Sequence, residues 1–123
     1  MYLVDSSGWI EFFTDGPLCS EYSRYLKDPT KIITPTIILY EVYKKIKKER
    51  TEADAILAVS SMWKTTIVPL SESIALTSAD LSLKHLLPMA DAIVYATSLE
   101  KGCKVITSDT HFRGLEDVVL IED

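Results

Sequence analysis

The segment PMADAIVYATSLEKGCKVITSD, residues 88–109, decides the fold. Pro88 suits the first turn of a helix, and residues 90–99 are apolar on nearly every side of that helix, which predicts that it is buried. Gly102 is the residue type with which many helices end. Residues 104–107, KVIT, lack the polar alternation of a one-sided sheet and are typical of a strand covered on both faces. A buried helix that leads into a buried strand is the repeating unit of an α/β fold.

The same alternation of helices and strands extends outward from this segment. Further strands are predicted at residues 2–4, 31–34, 66–70 and 118–121, and further helices at residues 6–15, 18–27, 35–50, 51–64 and 71–87. Pro35 suits a first helical turn, and Thr51 and Ser71 are residue types that cap helices. These elements predict an α/β fold with a mostly parallel central sheet. No linker or repeat interrupts them, so we expect a single domain over residues 1–123.

The composition is that of an ordinary globular protein and excludes several classes. The chain has 123 residues, 47% of them hydrophobic, and a formal net charge of −5, so any nucleic acid would have to be held by a local basic patch or by bound metal. Cys19 and Cys103 have no CxxC spacing and predict neither a disulfide framework nor a zinc site. The start lacks the features of a signal peptide, and no apolar run approaches the ~20 residues of a membrane span. We therefore expect a cytoplasmic protein without membrane contact.

Four acidic residues fall where the predicted strands end. Asp5 directly follows the first strand, and Asp109 follows the fourth by two residues. Asp91 lies in the first turn of its helix, and Glu41 lies in the second turn of the helix after the second strand. Ligands of open parallel sheets bind beyond the carboxyl ends of the strands. We therefore expect the four carboxylates to project from one end of the sheet.

Each acid also has a simpler explanation. Asp5 and Asp109 could cap the helical turns that follow them, Glu41 could pair with Lys45 at i+4, and Asp91 is favourable near a helix N-terminus. Together, however, carboxylates ~4 Å apart repel by about 4 kcal/mol per pair at an effective dielectric near 20. No lysine or arginine adjoins Asp5, Asp91 or Asp109 in sequence, so the cluster predicts a hard divalent cation, Mg²⁺ or Mn²⁺.

The segments that carry these acids resemble those of a known family. They are YLVDSSGWIEFF with Asp5, TPTIILYEVYK with Glu41, LPMADAIVYATSLEKG with Asp91, and VITSDTHFRGLEDVVLI with Asp109. The patterns P-x-A-D-A-x-x-x-A-T and T-x-D-x-x-F are the most specific of them. The chain resembles, over essentially its whole length, the PIN-domain ribonucleases, specifically the VapC-type toxins of bacterial and archaeal toxin–antitoxin pairs.

The resemblance implies a three-layer α/β/α sandwich in which the four acids hold one or two Mg²⁺ or Mn²⁺ ions and metal-activated water cuts RNA. It also implies a homodimer silenced by a small VapB-like antitoxin that reaches into the site. Hydroxyls near the first and fourth acids often assist, and the matching candidates here are Ser6, Ser7 and Thr107. We expect Ser6 or Ser7 to cap the first helix, which would leave the Asp5 carboxylate free for the metal.

The remaining polar and aromatic residues leave alternatives open. Lys44, Lys45 and Lys48 belong to the basic run 44–50, which is either a solvated helix end or a surface for RNA phosphates or an acidic antitoxin segment. His85 and His111 are interpreted as structural or surface residues. Of the aromatic side chains, we assign Trp9, Trp63 and Phe112 to packing.

The leading hypothesis is therefore a metal-dependent endoribonuclease, the toxin of a toxin–antitoxin pair. One alternative is a catalytically weak PIN-like binding module that acts through a partner protein. Another is an aspartate-based phosphoryl-transfer protein with Asp5 as nucleophile. Phosphatases of the haloacid-dehalogenase type have a second aspartate two positions further on, where this chain has Ser7.

Overall fold

Five short strands form one sheet in residues 1–122, the part of the chain that this computed structural model describes. The strands are β1 (Tyr2–Val4), β2 (Ile32–Pro35), β3 (Thr66–Val68), β4 (Lys104–Thr107) and β5 (Val118–Leu120). Their order across the sheet is β3-β2-β1-β4-β5, and every neighbouring pair is parallel. The predicted mostly parallel sheet is confirmed.

Helices occupy the connections between the strands. They are α1 (Ser6–Phe13), α2 (Cys19–Leu26), α3 (Thr36–Glu49), α4 (Glu52–Met62), α5 (Glu72–His85) and α6 (Met89–Lys101), with short 3₁₀ turns at Pro29–Lys31 and Thr110–Phe112. With the sheet they make the three-layer α/β/α sandwich expected of a PIN-like fold.

The core lies around the central strands and α6. Leu3, Ile32, Val105 and Ile106 are fully buried, which matches strands covered on both faces. In α6, all seven residues from 92 to 98 are buried, as the apolar pattern of that segment predicts. The central strands are therefore covered by apolar side chains, and Asp5 is buried directly after one of them.

The strand order determines where a site can form. Within the sheet, β1 is flanked by β2 on one side and by β4 on the other, so the order of the strands reverses at β1. The crevice beyond the carboxyl ends of β1 and β4 is thus the switch point at which parallel sheets bind ligands. Asp5 directly follows β1, and Asp109 follows β4 by two residues.

Several predicted boundaries are wrong by one or two residues. Pro35 is the last residue of β2 and the N-cap of α3, and Pro88 is the N-cap of α6, so neither lies in the first helical turn. Both prolines combine their fixed φ with an extended ψ, near 145° and 155°, which leads the chain into a helix from outside. The predicted strand 66–70 ends at Val68, directly before Pro69.

Trp63 is a clearer error, because it was assigned to packing and is 65% exposed. The buried stripe of α4 runs through Ala55, Ala58 and Met62, and Trp63 lies one residue, about 100° of helical rotation, away from it. Trp9 and Phe112 are buried as predicted.

Two further points concern the extent of the chain. The expectation of one domain over residues 1–123 stays a prediction, and Asp123 lies outside the described residues. None of the helices in residues 1–122 has both the length and the apolar character that a membrane span requires.

Candidate metal centre

Asp5 stands at the switch point and is fixed at both carboxylate oxygens. Its Oδ1 accepts a hydrogen bond from the Ser6 amide at 2.8 Å, and its Oδ2 accepts one from the Thr107 hydroxyl at 2.8 Å. The Asp5 amide donates to the Ile106 carbonyl at 2.9 Å, which ties the end of β1 to β4. Asp5 is only 4% exposed, and this burial is the main cause that raises the pKa of its carboxyl group.

The expectation that Ser6 or Ser7 would cap α1 in place of Asp5 is wrong. Asp5 is itself the N-cap, because it is the last extended residue before the helix, with φ −68° and ψ 163°. Capping does not exclude metal binding, since each carboxylate oxygen has more than one lone pair.

Ser7 instead links α1 to the end of β4. Its Oγ accepts a hydrogen bond from the Ser108 amide at 3.4 Å. The Ser108 hydroxyl in turn shares a short hydrogen bond with the hydroxyl of buried Tyr22. Ser7 therefore supports the loop that carries Asp109.

Glu41 lies in the second turn of α3 and is half-buried. Burial raises the pKa of its carboxyl group, and the charges of Asp5 and Asp109 raise it further, whereas a hydrogen bond from Ser6 lowers it. Glu41 therefore shares the electrostatic environment of the two acids that follow the strands.

Asp91 lies in the first turn of α6, beside Asp109. Its side chain is 14% exposed. Burial, followed by the charges of Asp109 and Asp5, raises its pKa to about 7, although His111 acts in the opposite direction. At neutral pH the four acids therefore do not all carry full charge unless a cation joins them.

Asp109 is held by the turn that follows β4. Its amide donates to the Thr107 hydroxyl at 2.9 Å, and its Oδ1 accepts from the His111 amide at 2.9 Å, so Asp109 caps the turn Thr110–Phe112 as foreseen. Thr107 thus contacts both Asp5 and Asp109, and its supporting role stays a prediction.

His111 also belongs to this site, although it was interpreted as structural or surface. Its Nδ1 lies 2.8 Å from Oδ1 of Asp109 and 3.2 Å from Oδ2 of Asp91. The sequence signal was the spacing of two residues after Asp109, because the capped turn folds the histidine back onto the acid that caps it.

The structure places two of the four acids in direct proximity and the other two farther away. Donor atoms of Asp91, Asp109 and His111 all lie within 4.8 Å of one another, while Asp5 and Glu41 stand outside this group and act on it through their charges. Within residues 1–122, no lysine or arginine forms an ion pair with any of the four acids. Carboxylate and imidazole groups without a lysine or arginine partner fit a divalent metal ion.

A groove adjoins the acids along α3. Its volume is about 480 Å³, and its lining includes Ser6, Glu41 and the three lysines of the predicted basic patch, Lys44, Lys45 and Lys48. Tyr40 also lines the groove, where its hydroxyl accepts a hydrogen bond from Lys44 at 3.2 Å. The basic patch therefore shares a groove with Glu41, one of the four acids.

Comparisons with known proteins agree with this architecture. The sequence profile of the PIN domain family matches residues 2–118. A solved chain of a toxin–antitoxin complex from Klebsiella pneumoniae is 28% identical, with a TM-score of 0.81 over 97% of this chain and 96% of that one. VapC20 from Mycobacterium tuberculosis, a Sarcin-Ricin loop cleaving toxin, is 14% identical, with a TM-score of 0.81 over the whole of both chains.

A third likeness is to the DNA-bound VapBC of Salmonella typhimurium. That chain is 14% identical, with a TM-score of 0.74 over 98% of this chain and 96% of that one. No curated protein sequence matches significantly.

Proposed function

The chain belongs to the PIN domain family, and on that premise we propose that it is a metal-dependent endoribonuclease, the toxin of a toxin–antitoxin pair. We also propose that residues 1–123 form one PIN-like nuclease domain. The observation that carries the proposal is the convergence of acids at the switch point of the sheet, without lysine or arginine partners in the described residues.

The proposed ligands of a divalent cation, Mg²⁺ or Mn²⁺, are Asp5, Glu41, Asp91 and Asp109. When bound, such a cation lowers the pKa of a water molecule and neutralises charge on a phosphodiester. The high pKa of Asp91 supports this assignment, because a cation relieves the repulsion that otherwise keeps a proton there.

Supporting residues keep these acids in place. Thr107 donates to Asp5 and accepts from the Asp109 amide, so one hydroxyl aligns two proposed ligands from neighbouring strand ends. Ser6 acts on Asp5 through its amide and on Glu41 through its hydroxyl. Such orienting contacts are typical of metal sites.

We propose that the groove along α3 receives single-stranded RNA. Lys44, Lys45 and Lys48 are exposed and line the groove that begins at Glu41, so their charges attract phosphates next to the proposed metal site. This local basic surface accounts for RNA binding by a chain whose net charge is −5.

The proposed partners are a VapB-like antitoxin and a second copy of the chain. An apolar groove of about 390 Å³ lies between α3 and α4 and is lined by Tyr43, Ile56 and Trp63 among others. This groove supports the proposal that an antitoxin binds to the chain. The junction of α5 and α6 exposes three large apolar side chains, Leu83, Leu86 and Met89, each by more than 70%. This apolar surface supports the proposal that two copies of the chain associate.

The phosphoryl-transfer alternative is disfavoured by the environment of Asp5. Both of its oxygens accept hydrogen bonds and the residue is buried, whereas a nucleophile must reach its substrate. Ser7 also stands where phosphatases of that type carry their second aspartate.

The test is cleavage of RNA by the purified protein with Mn²⁺ or Mg²⁺, with and without EDTA. We expect cleavage that EDTA abolishes and that Asp91→Asn reduces by ~100-fold or more. Asp80→Asn, an exposed acid on α5, is the matched control and should cleave normally. An Asp91→Asn protein that cleaves like the wild type would refute the metal site, and a wild type that binds metal but cleaves no RNA would indicate the weak binding module instead.

A further inference from the structure

The donor set at the end of β4 contains a nitrogen as well as oxygens. We propose that His111 is a direct metal ligand through Nδ1, and that the site therefore prefers Mn²⁺ or another first-row transition metal to Mg²⁺. This inference rests on the proposed function, because it takes Asp91 and Asp109 as ligands of the same ion, and it adds the identity of a further ligand and of the metal.

The distances support a shared ion. Nδ1 of His111 lies 2.8 Å from Asp109 and 3.2 Å from Asp91. Neighbouring ligands of an octahedral ion with bonds of about 2.1 Å lie about 3 Å apart. Nδ1 therefore has the spacing of a neighbouring ligand to each carboxylate, and the three donor atoms all lie within 4.8 Å of one another.

The backbone holds the imidazole in this position. The His111 amide donates to the carboxylate of Asp109 at 2.9 Å, so the turn Thr110–Phe112 fixes residue 111 relative to its neighbouring acid. Phe112, the last residue of that turn, is fully buried and anchors it in the core.

The other ring nitrogen is available to carry the proton. In residues 1–122, no protein group forms a hydrogen bond with Nε2 of His111, and the side chain is 57% exposed, so water can satisfy an N–H there. Nδ1 faces two carboxylates in the metal-free protein, so a metal ion would displace the proton of Nδ1 to solvent, and the ring would keep its single N–H on Nε2.

The nitrogen donor determines which metal is favoured. Mg²⁺ binds oxygen ligands almost exclusively and gives up its waters reluctantly, whereas imidazole is a good ligand for first-row transition metals. Replacing His111 should therefore weaken Mn²⁺ binding far more than Mg²⁺ binding.

The experiment is pulsed electron paramagnetic resonance on Mn²⁺ bound to the RNA-free protein, which detects coupling to a ligand ¹⁴N nucleus. We expect imidazole ¹⁴N coupling in the wild type and in the control His85→Gln, and its loss in His111→Gln. Calorimetry should show a Kd for Mn²⁺ about 10- to 100-fold weaker in His111→Gln, and a Kd for Mg²⁺ changed less than about 3-fold.

Other outcomes overturn the inference. If ¹⁴N coupling is absent from Mn²⁺-bound wild type, or persists in His111→Gln, His111 is not a ligand. If His111→Gln binds Mn²⁺ as tightly as the wild type, the imidazole only pairs with the acids in the metal-free protein and gives way to the ion. Coupling to ¹⁴N without RNA cleavage would refute the proposed function alone, and Mg²⁺-supported cleavage without coupling would refute only this inference.

Discussion

Thr107 is the residue on which the geometry of the site depends most. Its single hydroxyl donates to Oδ2 of Asp5 and accepts from the Asp109 amide, and the residue is fully buried. Because one group serves two acids from neighbouring strand ends, its removal disturbs both.

We therefore predict that Thr107→Val, which preserves shape and removes the hydroxyl, weakens Mn²⁺ binding about 10- to 100-fold. It should also lower the free energy of unfolding by about 1–3 kcal/mol, because the Asp109 amide loses its acceptor. Calorimetry and urea denaturation measure the two effects.

Thr97→Val is the matched control for this variant. Thr97 is equally buried, but its hydroxyl donates only to the Ile93 carbonyl of its own helix. Its removal should leave metal affinity unchanged. Equal metal affinity in Thr107→Val and the wild type would contradict the positioning role of Thr107.

The raised pKa of Asp91 predicts how the metal-free protein responds to pH. With a pKa of about 7 in the folded state and 3.8 as its ordinary value, Asp91 holds more proton in the folded than in the unfolded chain between these two pH values. Stability in EDTA should therefore fall as the pH rises from about 4 to about 7. Asp5 and Glu41, whose pKa values are also raised, contribute in the same direction.

Urea denaturation in EDTA at pH 5.5 and pH 8 measures this effect. Asp91→Asn should be more stable than the wild type at pH 8, because it removes a charge that neighbouring acids repel. Its free energy of unfolding should also fall less than that of the wild type between pH 5.5 and pH 8. In the Asp80→Asn control, the free energy of unfolding should fall as much as in the wild type. An Asp91→Asn protein with the wild-type pH dependence would contradict the assignment.

At the residue scale, the position of the four acids near the ends of the strands could be predicted, because two follow strands and two lie in the first or second turn of a helix. Their role as metal ligands stays a prediction. The position of His111 was not identified, because its spacing after Asp109 becomes a signal only once the turn is known to bring the imidazole against the carboxylate. The hydrogen bond from the Thr107 hydroxyl to the Asp5 carboxylate was also missed, because the two residues are 102 positions apart in sequence.

At the scale of elements, α1 packs closely against α2 and β1. A Cβ added to Gly8 would lie 2.4 Å from Cε1 of Tyr22 and 2.7 Å from Cγ1 of Val4, both fully buried. The close approach brings α1, which begins directly after Asp5, against α2 and the end of β1.

Gly8→Ala should therefore destabilise the protein by about 1–3 kcal/mol, because neither the Tyr22 ring nor the Val4 side chain has free space to move into. The sign is diagnostic, since alanine at a helix position without a clash would stabilise by up to about 1 kcal/mol. Chemical denaturation measures the change, and a gain in stability would show that α1 is not held at this distance.

The elements themselves were largely predictable. Apolar runs rich in β-branched residues located each strand to within two residues, and prolines and caps located the helices. The exposure of Trp63 was not predictable, because it depends on which side of α4 faces the core.

At the scale of the whole molecule, an acidic protein must attract a polyanion. The basic groove along α3 and the proposed cation at the switch point adjoin each other at Glu41, so both positive charges would act on the same stretch of the proposed RNA substrate. The remaining negative charge of the chain would disfavour other orientations of that RNA.

We predict that the triple variant Lys44→Ala, Lys45→Ala, Lys48→Ala binds single-stranded RNA more weakly and with less dependence on salt. Each phosphate contact to a single strand contributes about 0.7 to the slope of log affinity against log salt, so three lost contacts should reduce that slope by about 2. Fluorescence anisotropy at several salt concentrations, in an Asp91→Asn background that prevents cleavage, measures both quantities.

The control must distinguish the effect of the groove lysines on RNA affinity from the effect of the net charge of the protein. Lys27, Lys64 and Lys84 are exposed on other parts of the surface, and their triple alanine variant loses the same three positive charges. If the groove binds RNA, this control keeps nearly the wild-type slope while the groove variant loses it. Equal losses in both variants would mean that RNA responds only to overall charge, and the lysines of α3 would then be the solvated helix end that the sequence also allowed.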